Sequence, residues 1–239
     1  MKTIALIQAR MGSTRLPGKT LKKIKGKTLI EIMLNRLEKC KKIDKIIVAT
    51  SIEENCNGLE QHVKALGHYC FRGSENDVLD RFYKAIENEQ CDYVVRLTAD
   101  CPLIDPFLID KVIQMTIESE RDYGSNITPG KEYFPDGQDT EVFKYKLLDD
   151  AWNSAKLPFE REHVTPYIRD NLNSLFSNLS YDNDINLGHV RMTVDTKEDF
   201  KAIEVLVNEL GTDSSWIEYT DYIIKHPKKF TNQKIIRNE

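Results

Sequence analysis

TIALIQARMGSTRLPGK, residues 3–19, sets a short apolar run against a loop crowded with cations, hydroxyls and glycines. The apolar part reads as a buried strand, and the loop reads as built for an anion. Arg10, Arg15 and Lys19 bring three cations into ten positions. Gly12 and Gly18 permit close backbone approach and unusual dihedrals, and Ser13 and the backbone N–H groups can donate to phosphate oxygens. A P-loop would need Gly, four residues, then Gly-Lys-Ser/Thr. Here five residues, Ser13 to Pro17, separate Gly12 from Gly18, and Gly26 would interrupt the helix that must follow. The loop is therefore not a Walker loop. The plainer alternative is a basic surface turn, which seldom combines these features at the end of a strand.

Working outward, strands and helices alternate. TLIEIMLNRLEKC (28–40) has helical apolar spacing, and KIIVATS (45–51) is apolar enough for a strand covered on both faces. LEQHVKALG (59–67) is helical with Gly67 as its stop. YCFRG (69–73) is a strand, DVLDRFYKAIENE (77–89) a helix, DYVVRLTADCPLI (92–104) a strand and FLIDKVIQMTIESE (107–120) a helix. Successive β-α units predict a doubly wound α/β domain, a mostly parallel sheet with helices on both faces. Such sheets bind ligands beyond the carboxyl ends of their strands, which is where the loops QARMGSTR, ATS, FRGS and TADCP fall.

The second half changes character. Turn signals and short β-like pieces fill 123–143, helices are expected over 146–155 and 160–171, and strands over 175–184 and 189–195. A helix should span 197–211 and another begin near Trp216, with the polar tail peripheral. The expectation is one domain over 1–239, with an inserted cap or dimerisation segment at about 123–190. Composition agrees: 40% hydrophobic and 30% charged is globular, and a net charge of −4 argues against a nucleic-acid partner. No apolar run reaches the roughly 18 residues of a membrane span, and no secretory signal is read at the N-terminus. Five scattered Cys without a CxxC pair suggest free thiols in a reducing cytoplasm.

Two carboxylates end strands in chemically loaded settings. Asp100 in RLTADCP could simply cap a turn, and Asp195 in RMTVDTKED could simply cap a helix. If both strands share a sheet, they could instead share a divalent cation, since Mg²⁺ is typically held by one or two carboxylates plus substrate phosphates. Arg72, Asp77 and Arg81 could contact a base or ribose, although a helix-surface salt bridge suits Arg81 equally. No GxSxG elbow supports a Ser-His-Asp triad, and no HExxH appears.

STRLPGK (13–19), preceded by AR, resembles the signature loop of the 3-deoxy-manno-octulosonate and acylneuraminate cytidylyltransferases. Seven motifs in order, QARMGSTRLPGK, VATS, FRGSENDVLDRFYKA, RLTADCPLIDP, DGQDTEVF, EREHVTPYI and RMTVDTKEDF, are similar to the spore coat polysaccharide biosynthesis protein F branch of that family. The resemblance runs from about residue 3 to 205. It implies a nucleotide-diphospho-sugar transferase (glycosyltransferase A-like) fold and a CTP-dependent nucleotidyltransferase. It also implies that Arg10, Gly12, Ser13, Arg15 and Lys19 hold the triphosphate, with Arg15, Lys19 and Asp100 catalytic. Ala9, Met11, Thr50, Arg72, Gly73, Asp77, Thr98, Ala99 and Asp100 would complete the nucleotide site. Asp100 and Asp195 would carry Mg²⁺. Asn126, Glu141, Arg161, His163 and Arg191 would meet a small acidic or phosphorylated acceptor, in a likeness that further implies a homodimer.

The acceptor's identity does not carry over, because 123–190 follows the spore-coat type. Two rival readings stay open on the same fold. One is a glycosyltransferase using a nucleotide-sugar donor, whose DxD would have to be DND at 182–184. The other is a non-enzymatic nucleotide sensor.

Overall fold

Ile4, Ala5, Leu6 and Ile7 have no solvent exposure, so the first strand is covered on both faces, as its unbroken apolar run requires. The computed structural model describes residues 1–127, 133–171 and 178–235. Its strands are β1 (Thr3–Gln8), β2 (Lys23–Ile24), β3 (Lys27–Thr28), β4 (Lys45–Ser51), β5 (Tyr69–Gly73), β6 (Tyr93–Thr98), β7 (Tyr123–Ser125), β8 (Glu141–Lys144) and β9 (Asn178–Ser180). Its helices are α1 (Leu29–Leu37), α2 (Asn57–Ala65), α3 (Val78–Ile86), α4 (Pro106–Glu118), α5 (Tyr145–Ser154), α6 (Pro158–His163), α7 (Pro166–Asn171), α8 (Lys197–Leu210) and α9 (Trp216–Lys225).

Seven strands form one sheet in the order β5-β4-β1-β6-β8-β7-β9. The block β5-β4-β1-β6 is parallel, while β8 runs antiparallel to both β6 and β7. Chain order reverses between β1 and β6, so the crevice beyond their carboxyl ends is the topological switch point. Gln8 pairs in register with Ala49 on one side and Thr98 on the other, which brings the loops after three strands to one edge.

Alternate residues of the central strands feed two cores. Ala5, Ile7, Val48 and Val95 pack with Ile30 and Met33 of α1, Leu59 of α2 and Ile109 of α4. Ile4, Leu6, Ile47 and Val94 pack on the other face with Leu79 and Phe82 of α3, Leu147 of α5 and Ile168 of α7. A third cluster joins Leu29 and Ile32 to Ile203 and Leu206 of α8 and Tyr219 of α9. Helix starts follow side-chain chemistry: Thr28 with Glu31, Thr196 with Asp199 and Ser215 with Glu218 form capping boxes, and Asp105 caps α4.

Several expectations need correction. The strand expected over 92–104 ends at Thr98, where Cys101 N–H turns back to the Thr98 carbonyl at 3.1 Å. No helix runs on from Lys19, as the position of Gly26 implied: Gly26 turns the small β2-β3 hairpin, with Lys25 and Gly26 both at positive φ (48° and 84°). The helix expected over 160–171 is two helices, broken at Val164, whose φ is 69°. The strand expected over 175–184 is described only at Asn178–Ser180, its residues 175–177 lying outside the described part. Residues 189–195 are not a strand but make one bridge, Asp136 to Arg191, because Val190, Met192 and Val194 pack in the third cluster. Within the segment 123–190, β7, β8 and β9 extend the main sheet. The tail is not peripheral through residue 235: Phe230 and Asn232 are buried.

Candidate active site

The loop after β1 curls back on itself. Gly18 N–H donates to the Met11 carbonyl at 3.3 Å, and Thr20 Oγ1 donates to the Arg10 carbonyl at 3.3 Å. Gly18 adopts φ 67°, which favours glycine, and launches a 3₁₀ turn over Lys19–Leu21. Gly12 needs no such conformation; a β-carbon there would make ordinary contact, 3.4 Å from Glu75 Oε1. Ser13 Oγ accepts from Leu16 N–H at 3.4 Å. Among the described residues, the backbone N–H groups of Arg10 to Arg15 donate to no protein group. Free N–H groups on successive loop residues are able to bind an anion.

The curl delivers Lys19 to the two carboxylates singled out in the sequence. Its ammonium donates to Asp100 Oδ2 at 3.1 Å, to Asp195 Oδ1 at 2.9 Å and to the Val194 carbonyl at 2.7 Å. Arg15 Nη2 lies 3.3 Å from Asp195 Oδ2. Neither Asp100 nor Asp195 is a strand residue, contrary to expectation; they meet because Val194 N–H donates to the Asp100 carbonyl at 2.8 Å and ties the two turns together. Burial alone would raise the Asp100 pKa and lower that of Lys19. Their mutual attraction, with Asp195 added for Lys19, overrides this, holding Asp100 below and Lys19 above their ordinary values.

Two hard oxygen donors that converge on one ammonium fit a divalent cation. In this structure the Lys19 ammonium lies between the two carboxylates, so the oxygens that would hold such an ion already converge on one point. Asp195 is further fixed from behind. Arg191 Nη2 donates to its Oδ2 at 3.0 Å, while Arg191 Nη1 donates to Asp136 at 2.6 Å and Nε to Asp199 at 2.8 Å. Arg191, expected among the acceptor contacts, is thus buried and engaged by three carboxylates.

Other expected side chains also have structural partners. Arg72 donates to the carbonyls of Ser51, Ile52 and Glu53 and to Asn57 and Glu60, clamping the loop after β4. Asp77 caps α3 and pairs with Arg161, whose Nη2 lies 2.7 Å from it. Asn126 bonds the backbone of Gln138 and Thr140. Glu141 is buried against Arg96 and Tyr123. Thr50 is buried with an unpaired hydroxyl. Ala9, Thr98, Ala99, Met11 and Gly73 lie at the strand ends around the crevice, Ala9 N–H being taken by the Ala49 carbonyl at 3.1 Å. His163 ends α6, its ring against Phe159.

Arg81 was legible only as an ambiguity, and its structural position is unusual. It has 0% exposure; Nη1 donates to the Ser74 carbonyl at 2.7 Å, while Nε and Nη2 have no partner. Gln8 Oε1 is likewise buried and unpaired. Gln8 follows Ile4 and Leu6 on the sheet face that α3 covers, so buried orphan donors and a buried orphan acceptor lie on the same side of the sheet. Helical spacing signals Arg81's burial, since it stands three residues after Val78 on the buried arc.

Residues 4–236 match the cytidylyltransferase family, and the chain belongs to it. The spore coat polysaccharide biosynthesis protein SpsF of Bacillus subtilis is 36% identical over 238 residues, covering 96% of this chain and 97% of that protein. A cytidylyltransferase structure from Leptospira borgpetersenii superposes with a TM-score of 0.91 at 34% identity, covering 99% of this chain and all of that one. A CMP:2-keto-3-deoxy-manno-octonic acid synthetase complexed with CTP shares the fold, with a TM-score of 0.67 at 18% identity over 87% of this chain and 99% of that one. The protein is accordingly a nucleotidyltransferase of the cytidylyltransferase class. The glycosyltransferase alternative is not favoured: Asp182 and Asp184 of the only DxD are exposed, on a turn after β9. Among the described residues no helix is long and apolar enough to cross a membrane.

Proposed function

We propose that this enzyme transfers CMP from CTP to a sugar acid or a related acidic or phosphorylated acceptor, releasing pyrophosphate, in surface polysaccharide or glycan synthesis. The observation that carries the reading is the Lys19 ammonium between Asp100 and Asp195, at the mouth of a loop of free N–H groups. An acceptor oxygen attacks the α-phosphorus in line. The loop N–H groups and Arg15 and Lys19 bind the β and γ phosphates and neutralise the charge that leaves with them. Asp100 and Asp195 are the residues that would hold Mg²⁺, which supplies charge neutralisation at the α-phosphate when bound. Arg191 keeps Asp195 facing Asp100. The orphan N–H groups of Arg81 and the orphan Gln8 oxygen suit the polar edge of cytosine, which offers both acceptors and a donor. A carboxylate or phosphate acceptor needs no general base.

The likeness to SpsF supports the polysaccharide setting, and CTP consumption suits a cytoplasmic enzyme. The homodimer rests on family resemblance and is checked by light scattering.

The test is thermal melting with Mg²⁺ and each of CTP, UTP, ATP and GTP, followed by acceptor screening through pyrophosphate release. A ligand at a hundred times its dissociation constant adds about 2.7 kcal/mol, or about 5–11 °C for a chain of this size. A shift confined to CTP supports the reading. A larger shift with another nucleotide overturns the cytidylyl assignment.

A further inference from the structure

Asp100 lies within residues 99–105, a connection between β6 and α4 that belongs to neither. Leu103, Ile104 and Asp105 are buried there, so their backbone groups cannot turn to water and must find protein partners. Two buried side chains supply them. Arg36 Nε donates to the Ile104 carbonyl at 2.7 Å. Gln138, with 0% exposure, does more: its Nε2 donates to the Leu103 carbonyl at 3.1 Å, and its Oε1 accepts from Asp105 N–H at 2.9 Å. Those are the two bonds that a residue on a neighbouring parallel strand would make across from Ile104. One side-chain amide thus takes the place of a strand where the chain has none.

A backbone bridge of the same pattern lies two residues earlier. Asp136 N–H donates to the Val190 carbonyl at 2.9 Å, and the Asp136 carbonyl accepts from Met192 N–H at 2.7 Å, which sets Asp136 across from Arg191. Residues 136–138 therefore form a strip that holds the Asp100 turn through Gln138 and the segment leading to Asp195 through Asp136. The strip is fixed in turn by Asn126, whose Nδ2 donates to the Gln138 carbonyl at 2.7 Å and whose Oδ1 accepts from Thr140 N–H at 2.8 Å. Asp100 is accordingly pinned on both sides. Ala99 N–H donates to the Gln8 carbonyl at 2.9 Å before it, and Gln138 grips the chain after it.

We propose that Gln138 is a positioning residue that fixes the spacing of Asp100 and Asp195, and through that spacing makes the pair select a small divalent cation over a large one. This rests on the reading of Asp100 and Asp195 as cation ligands. Mg²⁺ demands oxygens at about 2.0–2.1 Å in a near-ideal arrangement, whereas Ca²⁺ accepts them at about 2.3–2.6 Å in a looser one. A rigid turn favours the first ion and a slack turn the second. Gln138 hydrogen-bonds to neither carboxylate, so its effect passes through the backbone that carries Asp100.

The experiment measures Mn²⁺ bound to the free protein by EPR, with Mg²⁺ and Ca²⁺ as competitors and no turnover read. In the parent we expect Mg²⁺ to displace Mn²⁺ at lower concentration than Ca²⁺ does, and Asp100→Asn to lose the bound ion. Gln138→Met keeps the length of the side chain and removes both bonds. It should weaken Mg²⁺ about tenfold, as loss of a group that orients metal ligands does, and weaken Ca²⁺ by less, so that the preference shrinks. Leu148→Ala, a core truncation in α5, controls for lost stability and should keep the parent's preference. Gln138→Glu, which keeps an acceptor for Asp105 N–H, is the second variant should Gln138→Met fail to fold, and it should shift the preference in the same direction. The proposal is overturned if the Gln138 variant weakens both ions alike, if its preference matches the parent's, or if Leu148→Ala shifts the preference as far. A parent that holds no Mn²⁺ dependent on Asp100 overturns the cation reading as well, whereas the other adverse outcomes leave that reading standing.

Discussion

Lys19 is the residue on which the proposed catalytic corner turns, because one ammonium serves two carboxylates. Losing one transition-state charge contact of this kind costs about 3–4 kcal/mol. Lys19→Ala should therefore lower turnover by about 10²–10³-fold in a protein whose melting curve stays cooperative; near-normal pyrophosphate release would remove Lys19 from the chemistry. The ion pair also sets a pH signature. Asp100 is depressed and Lys19 raised, so the contribution of the pair is fully present between the ordinary values of about 3.9 and about 10.4. It is lost as pH falls through the lowered Asp100 pKa or rises through the raised Lys19 pKa. Asp100→Asn removes one of Lys19's two carboxylates, so the alkaline loss of melting temperature, whose onset the unfolded-state lysine sets, should be smaller and complete at lower pH. An unchanged alkaline limb would mean that Asp195 alone holds the ammonium. The sequence made this trio legible because each member ends or follows a loop of distinctive composition. It named Arg81 only as an open choice between a base contact and a surface salt bridge, because the unmet N–H groups of Arg81 are a property of the folded neighbourhood.

Elements were read well where periodicity was long and poorly where tethering replaced pairing. β1, β4, α4 and α8 follow their apolar spacing closely. The segment 189–195 has strand-like alternation but spends it on the cluster under α8 and α9. What holds it is a short seam to residues 136–138, and Gly137 is the tight point. Its φ is 103°, and an added β-carbon would lie 2.8 Å from Met192 C and Thr193 N, backbone atoms that cannot swing aside. Gly137→Ala should cost at least about 2 kcal/mol through overpacking and a disfavoured dihedral, lowering the melting temperature by at least about 4 °C. Calorimetry that finds the variant as stable as the parent would show that the seam yields. The α6-α7 break at Val164 was beyond sequence reading for a different reason. Pro166 stands two residues beyond the break, yet nothing local announces that a buried valine will accept a left-handed φ.

At the scale of the molecule, the site is assembled from both ends of the chain. The strand-end loops were visible early because a parallel sheet must gather them at one edge. The contribution of residues 230–235 was not, since their composition is polar and their partners are remote in sequence. Asn232 donates to Asp199 Oδ1 at 3.1 Å, and Gln233 exchanges bonds with the Arg191 backbone, 2.8 Å to Oε1 and 2.9 Å from Nε2. Asn232→Ala should cost about 1–3 kcal/mol of stability. If the support reaches Asp195 through Arg191, the variant should also need more Mg²⁺ for half its maximal rate, and an unchanged Mg²⁺ requirement would confine Asn232 to stability. This support has a temporal side. During synthesis the anion loop emerges first, Asp100 next and Asp195 much later, and the brace behind Asp195 leaves the ribosome after all of them. A nascent chain can thus own every strand of its sheet while the proposed catalytic corner is still unbraced, and a fusion partner joined just beyond residue 235 would sit against the last piece to dock.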